Sequence, residues 1–364
     1  MNRIATHNSG NRLVGLDFAR GLAILGMTVI HFRLVMAAGP GEARAWQWIF
    51  DWLDGRPATL FMVSAGIGVS LMARGAQRKE LPLSRVRRTL CNRGAFLLGV
   101  GFLNLMIWPG DILRVYGVSF FLAALLIARP GRELLIATAA LVAGFIVALV
   151  TWDFEANWNW ETLEYRNLWT LRGAARHLLY DGFRSVLPWT GLLTLGMWLG
   201  RLRLSDLTVQ RRLVVLGGTC WLMTECISAL LVRAAIAEVS PQEVADVRAV
   251  LGTASLPALP LFLLSSGGCA AVMIGLSLMV CRRTEDRLPV RAMIATGQMA
   301  FTWYVGHIVL GLGTIDELEL FDRPTWLAVT CGFGFFALAA ALSLWWRGRE
   351  RRGPLEYLLR RVCG

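Results

Sequence analysis

Apolar residues fall in long blocks along this chain, separated by short polar connections. The blocks centre on residues 16–37, 58–74, 93–109, 113–129, 133–151, 186–202, 213–234, 257–281, 292–313 and 324–346. A helix needs roughly 17–25 residues to cross the hydrocarbon core, and most blocks have that length. Blocks 93–109 and 113–129 are joined only by Gly110-Asp111-Ile112, after Trp108-Pro109, which predicts a tight helical hairpin. No internal repeat and no low-complexity tract interrupts the series. The pattern predicts an all-α, polytopic transmembrane bundle of about ten spans.

Charge in the connections orients the bundle. Arg74, Arg78, Lys79, Arg85, Arg87, Arg88 and Arg93 follow the second block, and later alternate connections carry Arg129/Arg132, Arg201/Arg203/Arg211/Arg212 and Arg282/Arg283/Arg287/Arg291. The intervening connections are acidic or mixed: Glu42, Asp51 and Asp54; Asp153, Glu155, Glu161 and Glu164; Asp316, Glu317, Glu319 and Asp322. Basic loops stay in the cytoplasm, so an even number of spans with both termini cytoplasmic is expected. The division is a transmembrane domain over 1–346 and a basic juxtamembrane tail over 347–364. In the tail, apolar and basic residues interleave after Pro354, as in a helix lying on the inner leaflet.

Composition agrees: 55% of residues are hydrophobic and 17% charged, with a mean hydropathy of +0.53. The net charge of +12 belongs to the cytoplasmic loops and does not call for nucleic acid. Lys79 is the one lysine, so a fixed cationic ligand site would be built from guanidinium groups. The seven cysteines have no CxxC spacing, which argues against a zinc site or a disulfide framework. The first block follows Arg3 and Arg12 but is too long for a signal sequence and contains Arg20 and His31, so it reads as a permanent span.

Charged groups inside a span cost at least roughly 2.5 kcal/mol at its centre and are candidate functional residues. The first block holds Asp17, Arg20 and His31. Eleven residues separate Arg20 from His31, about three turns, which puts both on one face ~16 Å apart. Asp17 lies one turn before Arg20, where it can pair with it. Arg20 neutralised by Asp17 near the interface needs no further role. An imidazole deep in a span needs a partner or a cavity, so His31 is the stronger candidate. Asp54 and Arg56, before the second span, could line a mouth or pair at the surface. His307, Glu225 and Asn104 suit helix-to-helix hydrogen bonds; His7 and His177 lie outside the spans and receive no role. The 152–185 connection holds Trp152, Trp158, Trp160, Tyr165, Trp169 and Tyr180. They suit an interfacial aromatic belt, with a stacking platform for a sugar or other acceptor as the second reading.

The run Leu16-Asp17-Phe18-Ala19-Arg20-Gly21-Leu22-Ala23, ending at His31-Phe32, closely resembles the opening helix of the membrane acyltransferase superfamily. That group includes bacterial integral-membrane O-acyltransferases, heparan-α-glucosaminide N-acetyltransferases and YeiB-like proteins. The arginine, ten residues and a histidine match a hallmark of the O-acyltransferases, and Arg85 with Arg88 fit their R-x-x-R motif. Resemblance to the YeiB-like proteins extends through Asp54-Gly55-Arg56 to Phe61, Ala65 to Gly68, Trp108 to Leu113 with Tyr116, Thr296 to Tyr304, and Gly353-Pro354-Leu355-Glu356. The lysosomal enzymes carry an asparagine at the place of His31 and a catalytic histidine in the first external loop. Residues 38–56 here contain no histidine, so His31 would have to serve.

The resemblance implies transfer of an acyl group, acetyl first, from cytoplasmic acyl-CoA to a hydroxyl or amine of a carbohydrate or other small-molecule acceptor. Arg85 and Arg88 would hold the donor's phosphates. His31 would act as base or form an acyl-histidine, with Arg20 and Asp17 along the same stripe. Asp54, Arg56, Tyr304 and His307 are secondary candidates for the site. Acetyl-CoA or another acyl-CoA is the donor and no metal is implied. The partners are the donor, the acceptor and the lipid bilayer, with no nucleic acid; the oligomeric state is open, a homodimer included. The location implied is the bacterial cytoplasmic membrane. A proton-linked transporter using Asp17, Arg20 and His31 is the rival reading, and a non-catalytic membrane protein the third.

Overall fold

The computed structural model describes residues 13–37, 44–160, 162, 164–349 and 352–364. Arg3, His7, Arg12, Glu42 and Glu161 lie outside the described residues. The chain is 78% helical, and the described strands are a two-residue pair, β1 (Trp158–Asn159) and β2 (Glu164–Tyr165), in antiparallel register.

Among the described residues, six helical stretches are long and apolar enough to cross a membrane: Val14–Met36, Ala45–Arg78, Gly131–Thr151, Leu207–Ile236, Pro260–Thr284 and Thr325–Arg349. They comprise α1 (Val14–Met36), α2 (Arg44–Leu53) with α3 (Arg56–Arg78), α6 (Gly131–Thr151), α9 (Leu207–Ile236), α11 (Pro260–Thr284) and α15 (Thr325–Arg349). The other four apolar blocks are also helical, but each departs from a simple span. Helix α4 (Leu83–Leu105) carries Arg85, Arg87, Arg88 and Arg93 in its first half. Helices α5 (Leu113–Leu126) and α8 (Val186–Leu199) have 14 residues each, about 21 Å of rise against a core of ~30 Å. The block 292–313 is broken into α12 (Leu288–Gln298), α13 (Ala300–Gly306), a π-helical run His307–Leu312 and α14 (Gly313–Glu317).

Local sequence sets the helix starts. Proline occupies the first turn of α3, α11, α12 and α16 (Pro354–Cys363), where its missing N–H costs nothing. Asp206 caps α9 by accepting from Thr208 N. Thr170 caps the short α7 (Leu171–Arg176) by accepting from Gly173 N. Helix α10 (Val244–Leu251) packs on α9.

Helix α1 sits at the centre, against α3, α11, α12 and α15. Small residues allow that density, because helices in lipid gain from close backbone approach. At Gly297 an added Cβ would lie 1.7 Å from the carbonyl oxygen of Asp17, so only glycine permits the α1–α12 contact. Hydroxyl pairs join the neighbouring helices, Ser119 to Thr190 and Thr138 to Thr194, both at 2.7 Å, each worth about 0.6 kcal/mol.

The break between α12 and α13 falls at Met299 (φ −113°, ψ 28°), which leaves amides without helical partners. Glu356 on α16 takes them up. Its carboxylate accepts from Phe301 N at 2.7 Å, Thr302 N at 3.0 Å and Thr302 Oγ1 at 2.6 Å. Burial raises the Glu356 carboxyl above its ordinary range, against the pull of these donors. The expected tail is therefore in part a packed helix, seated against α4 and α13.

Candidate functional site

The polar stripe of α1 opens into two cavities, one at each end. At the arginine-rich end, Arg20 Nη1 pairs with Asp17 at 3.3 Å and Nη2 donates to the Ser64 carbonyl at 3.4 Å. Gln298 Nε2 donates to the second Asp17 oxygen at 3.2 Å. Arg20 borders a cavity of about 300 Å³ whose polar lining also includes Arg93, Gln298 and Glu356. Gln298 and Glu356, far apart in the sequence, thus border the same cavity.

At the opposite end, His31 borders a cavity of about 20 Å³ with Asp54, Gly110, Arg184 and Tyr304, room for roughly one water. Three rings separate the cavities. Phe61 and Tyr304 stack at 6.3 Å, and Tyr116 meets Phe61 edge-on at 5.5 Å. Phe61 and Tyr116 face the Arg20 cavity, and Tyr304 faces the His31 cavity.

His31 Nδ1 lies 2.9 Å from His307 Nε2, and the two rings stack with centroids 5.1 Å apart. Trp108 also packs against His31, 4.8 Å between centroids. His307 is fully buried and its Nδ1 lies 3.1 Å from the Trp303 carbonyl. It opens the π-helical run of the broken helix; such bulges are frequent at functional sites.

Asp54 reaches the His31 cavity because Gly55 adopts φ 72° before α3 begins, a conformation that favours glycine. Asp54 accepts from Ser255 Oγ and, at 3.4 Å, from Arg184. Arg184 also donates to Ser255 Oγ at 3.2 Å and lies over Trp189 at 4.7 Å. Arg56 turns away from this cavity. It pairs with Glu225, donates to Ser265 Oγ at 3.0 Å and lies over Trp52, tying α3 to α9 and α11.

Tyr304 is held from behind. Its hydroxyl accepts from Ile112 N at 3.0 Å and donates to Asp111 at 3.3 Å. Asp111 also accepts from Asn104 Nδ2 and Arg114 N, both at 3.2 Å. The Arg114 guanidinium reaches on to His177 Nδ1 at 2.9 Å. His177 opens a second π-helical run, His177–Asp181. Burial, then the charge of Arg114, brings its pKa down from 6.5 to about 3.

The 152–185 connection is more than a belt. Asp181 pins it: Trp158 Nε1 donates to the Asp181 carbonyl at 2.6 Å, Tyr165 Oη to its carboxylate at 2.7 Å, and Arg176 Nε to the same carboxylate at 2.5 Å. This cap and the end of α4 enclose a groove of about 700 Å³ lined by Trp158, Glu164, Tyr165, Arg166, Trp169 and His177, with Pro109 as part of its floor. Pro109 faces the groove and its neighbour Gly110 faces the His31 cavity. The turn Trp108-Pro109-Gly110 is therefore the partition between them.

Arg85 and Arg88 are exposed on α4 and line none of these cavities. Among the described residues, Arg20 and Arg93 border the cavity at that end, and Arg74 with Arg201 a further one of about 500 Å³.

Residues 12–222 match the family model for the catalytic region of heparan-α-glucosaminide N-acetyltransferase. The chain belongs to the YeiB-like, heparan-α-glucosaminide N-acetyltransferase-like family. Residues 209–363 match a second family model, described as a protein of unknown function (DUF418). Over 121 residues the chain is 36% identical to the uncharacterized protein YeiB of Escherichia coli (strain K12), a match that spans 29% of each chain. With its apolar helices, membership makes this a multi-pass membrane protein of an acetyltransferase-type family. The His31 centre draws on both matched regions, since His31, Asp54 and Arg184 lie in the first and Tyr304 and His307 in the second.

Arg114, Arg184 and His177 received no role from the sequence. The available signal was positional: Arg114 and Arg184 are arginines at the end of the bundle that the charge alternation leaves otherwise acidic or mixed.

Proposed function

We propose that this protein is an integral membrane acyltransferase that moves an acetyl or similar acyl group from cytoplasmic acyl-CoA to a hydroxyl or amine at the outer face. The observation that carries the reading is the pair of cavities on the α1 stripe, meeting at the Phe61–Tyr116–Tyr304 septum. The reading places the basic end in the cytoplasm, with ten spans, both termini inside, and the bacterial cytoplasmic membrane as the setting.

Donor phosphates would meet Arg20 and Arg93, whose guanidinium groups suit phosphate oxygens; Arg85 and Arg88 would raise the local potential at the rim. The pantetheine arm would occupy the Arg20 cavity and deliver the thioester past the septum. The acceptor would approach from the aromatic groove, across the Trp108-Pro109-Gly110 partition. His31 would take the proton of the attacking hydroxyl or amine and pass it to the departing thiolate. Arg184, facing the same small cavity, is placed to stabilise the oxyanion as the carbonyl becomes tetrahedral.

The test is calorimetric binding of acetyl-CoA to detergent-purified protein, paired with thiol release. Arg20→Ala and Arg93→Ala should weaken binding more than Arg85→Ala/Arg88→Ala. His31→Ala should bind normally and release no thiol. Absence of saturable binding for acetyl-CoA and for longer acyl-CoAs would sink the proposal.

A further inference from the structure

We infer that His307 is the positioning residue of the proposed centre, fixing His31 in the tautomer that leaves Nε2 as its basic atom. The inference rests on the acyltransferase reading for its purpose, but its geometry stands alone.

The Trp303 carbonyl can only accept, so His307 Nδ1, at 3.1 Å, donates to it. A neutral imidazole carries one N–H, so His307 Nε2 presents a lone pair. His31 Nδ1, 2.9 Å away, must then donate. The proton on Nδ1 leaves His31 Nε2 unprotonated, and no hydrogen bond to that nitrogen occurs among the described residues. His31 borders the small cavity with Asp54, Arg184 and Tyr304. The charged groups there do not compete for Nδ1, because Asp54 is engaged by Arg184 and Ser255.

The order Trp303 carbonyl, His307, His31 does what a carboxylate does behind the histidine of a hydrolytic triad: it selects the tautomer and orients the ring. A neutral acceptor suits this place. A carboxylate beside His31 would bury a further charge between α1 and α13, whereas His307 supplies an acceptor without one. Trp108 and His307 both pack against the His31 ring, at 4.8 and 5.1 Å between centroids, which restricts its rotation. In the reaction, the acceptor's proton moves to His31 Nε2 as its oxygen or nitrogen bonds the carbonyl carbon. The C–S bond then breaks and the proton leaves Nε2 for the thiolate. Throughout, the Nδ1–H stays on His31, and His307 Nε2 steadies the transient imidazolium.

The chain has four histidines, so ¹⁵N-histidine NMR in lipid nanodiscs can be assigned by single substitutions. Without any acyl donor present, wild-type His31 should show a protonated Nδ1 and a pyridine-type Nε2. His307→Leu should lose that preference, and His307→Gln, whose amide oxygen accepts and whose amide N–H can reach Trp303, should keep it. Thiol release from acetyl-CoA should fall about 100-fold in kcat for His307→Leu, the scale of lost orientation behind a histidine, with KM unchanged, and recover in His307→Gln. A wild-type His31 protonated at Nε2, or a His307→Leu variant that retains the Nδ1–H signal, would overturn the assignment. Should wild-type protein release no thiol at all, the acyltransferase reading fails while the tautomer result still decides the role of His307.

Discussion

Acidification should weaken this molecule through His177. The ring is 1% exposed, and its Nδ1 faces Arg114 Nη1 at 2.9 Å. A guanidinium only donates, so the pair requires the neutral ring. Unfolded, His177 takes its proton near 6.5; folded, it does so near 3, mainly through burial and then through the charge of Arg114. Between these values the unfolded chain binds more protons. The contribution is therefore fully present above about pH 6.5 and is lost as pH falls toward 3. At 1.36 kcal/mol per unit, the loss at pH 5 is about 2 kcal/mol. Asp181, raised by burial, acts in the opposite sense, so the wild-type curve alone does not isolate the effect. His177→Gln does: its amide oxygen accepts from Arg114 and does not titrate. Unfolding midpoints in nanodiscs at about pH 7.5 and pH 5 should show wild type losing about 2 kcal/mol more than His177→Gln. Parallel losses in the two proteins would refute the reasoning. In the folded protein the ring takes its proton only near pH 3; there a cation would stand against Arg114 and loosen Asp111 and Tyr304 behind it, so activity should respond to this ring only as pH approaches that value.

Three further outcomes are expected. Arg56→Met strands the Glu225 carboxylate between helices and should cost about 3 kcal/mol, read as a lower unfolding midpoint and partly restored by adding Glu225→Gln. Gly297→Ala should prevent the α1–α12 contact and abolish recovery of folded protein by size exclusion, whereas Gly334→Ala, with nothing within 4 Å of the added carbon, should leave it unchanged. Phe61→Ala removes one ring of the septum. It should raise thiol release from acetyl-CoA in the absence of any acceptor, because water then reaches the thioester; an unaltered rate would deny the septum its separating role.

The helices were legible because each apolar block is long and the polar connections are short. Asp17, Arg20 and His31 could be placed on one face from their spacing alone, and the Asp17–Arg20 pair follows from it. The shortfall of α5 and α8, at 14 residues each, was not legible, because apolar loop residues extend the blocks beyond the helices. Arg85 and Arg88 stood out in an arginine-rich connection, but helical phase turned them outward while Arg93 faced the cavity. Asp54 and Arg56, two residues apart, look like a pair in sequence. The left-handed Gly55 between them sends one to Arg184 and the other to Glu225. The His31–His307 contact joins residues 276 apart in the chain, and nothing local in either segment announces the other.

The π-helical run at His307 carries one residue more than an α turn would need. Deleting one residue between 308 and 311 would let the run close to an α turn, and because a π turn spends its extra residue on nearly the same rotation, what lies beyond would keep its phase. Leu312 and Ile315 would still face Phe32 and Met36, and only the widened backbone beside His307 would be lost. A relative that keeps both histidines but aligns here with a one-residue gap therefore retains the packing of the bundle and differs at the site alone.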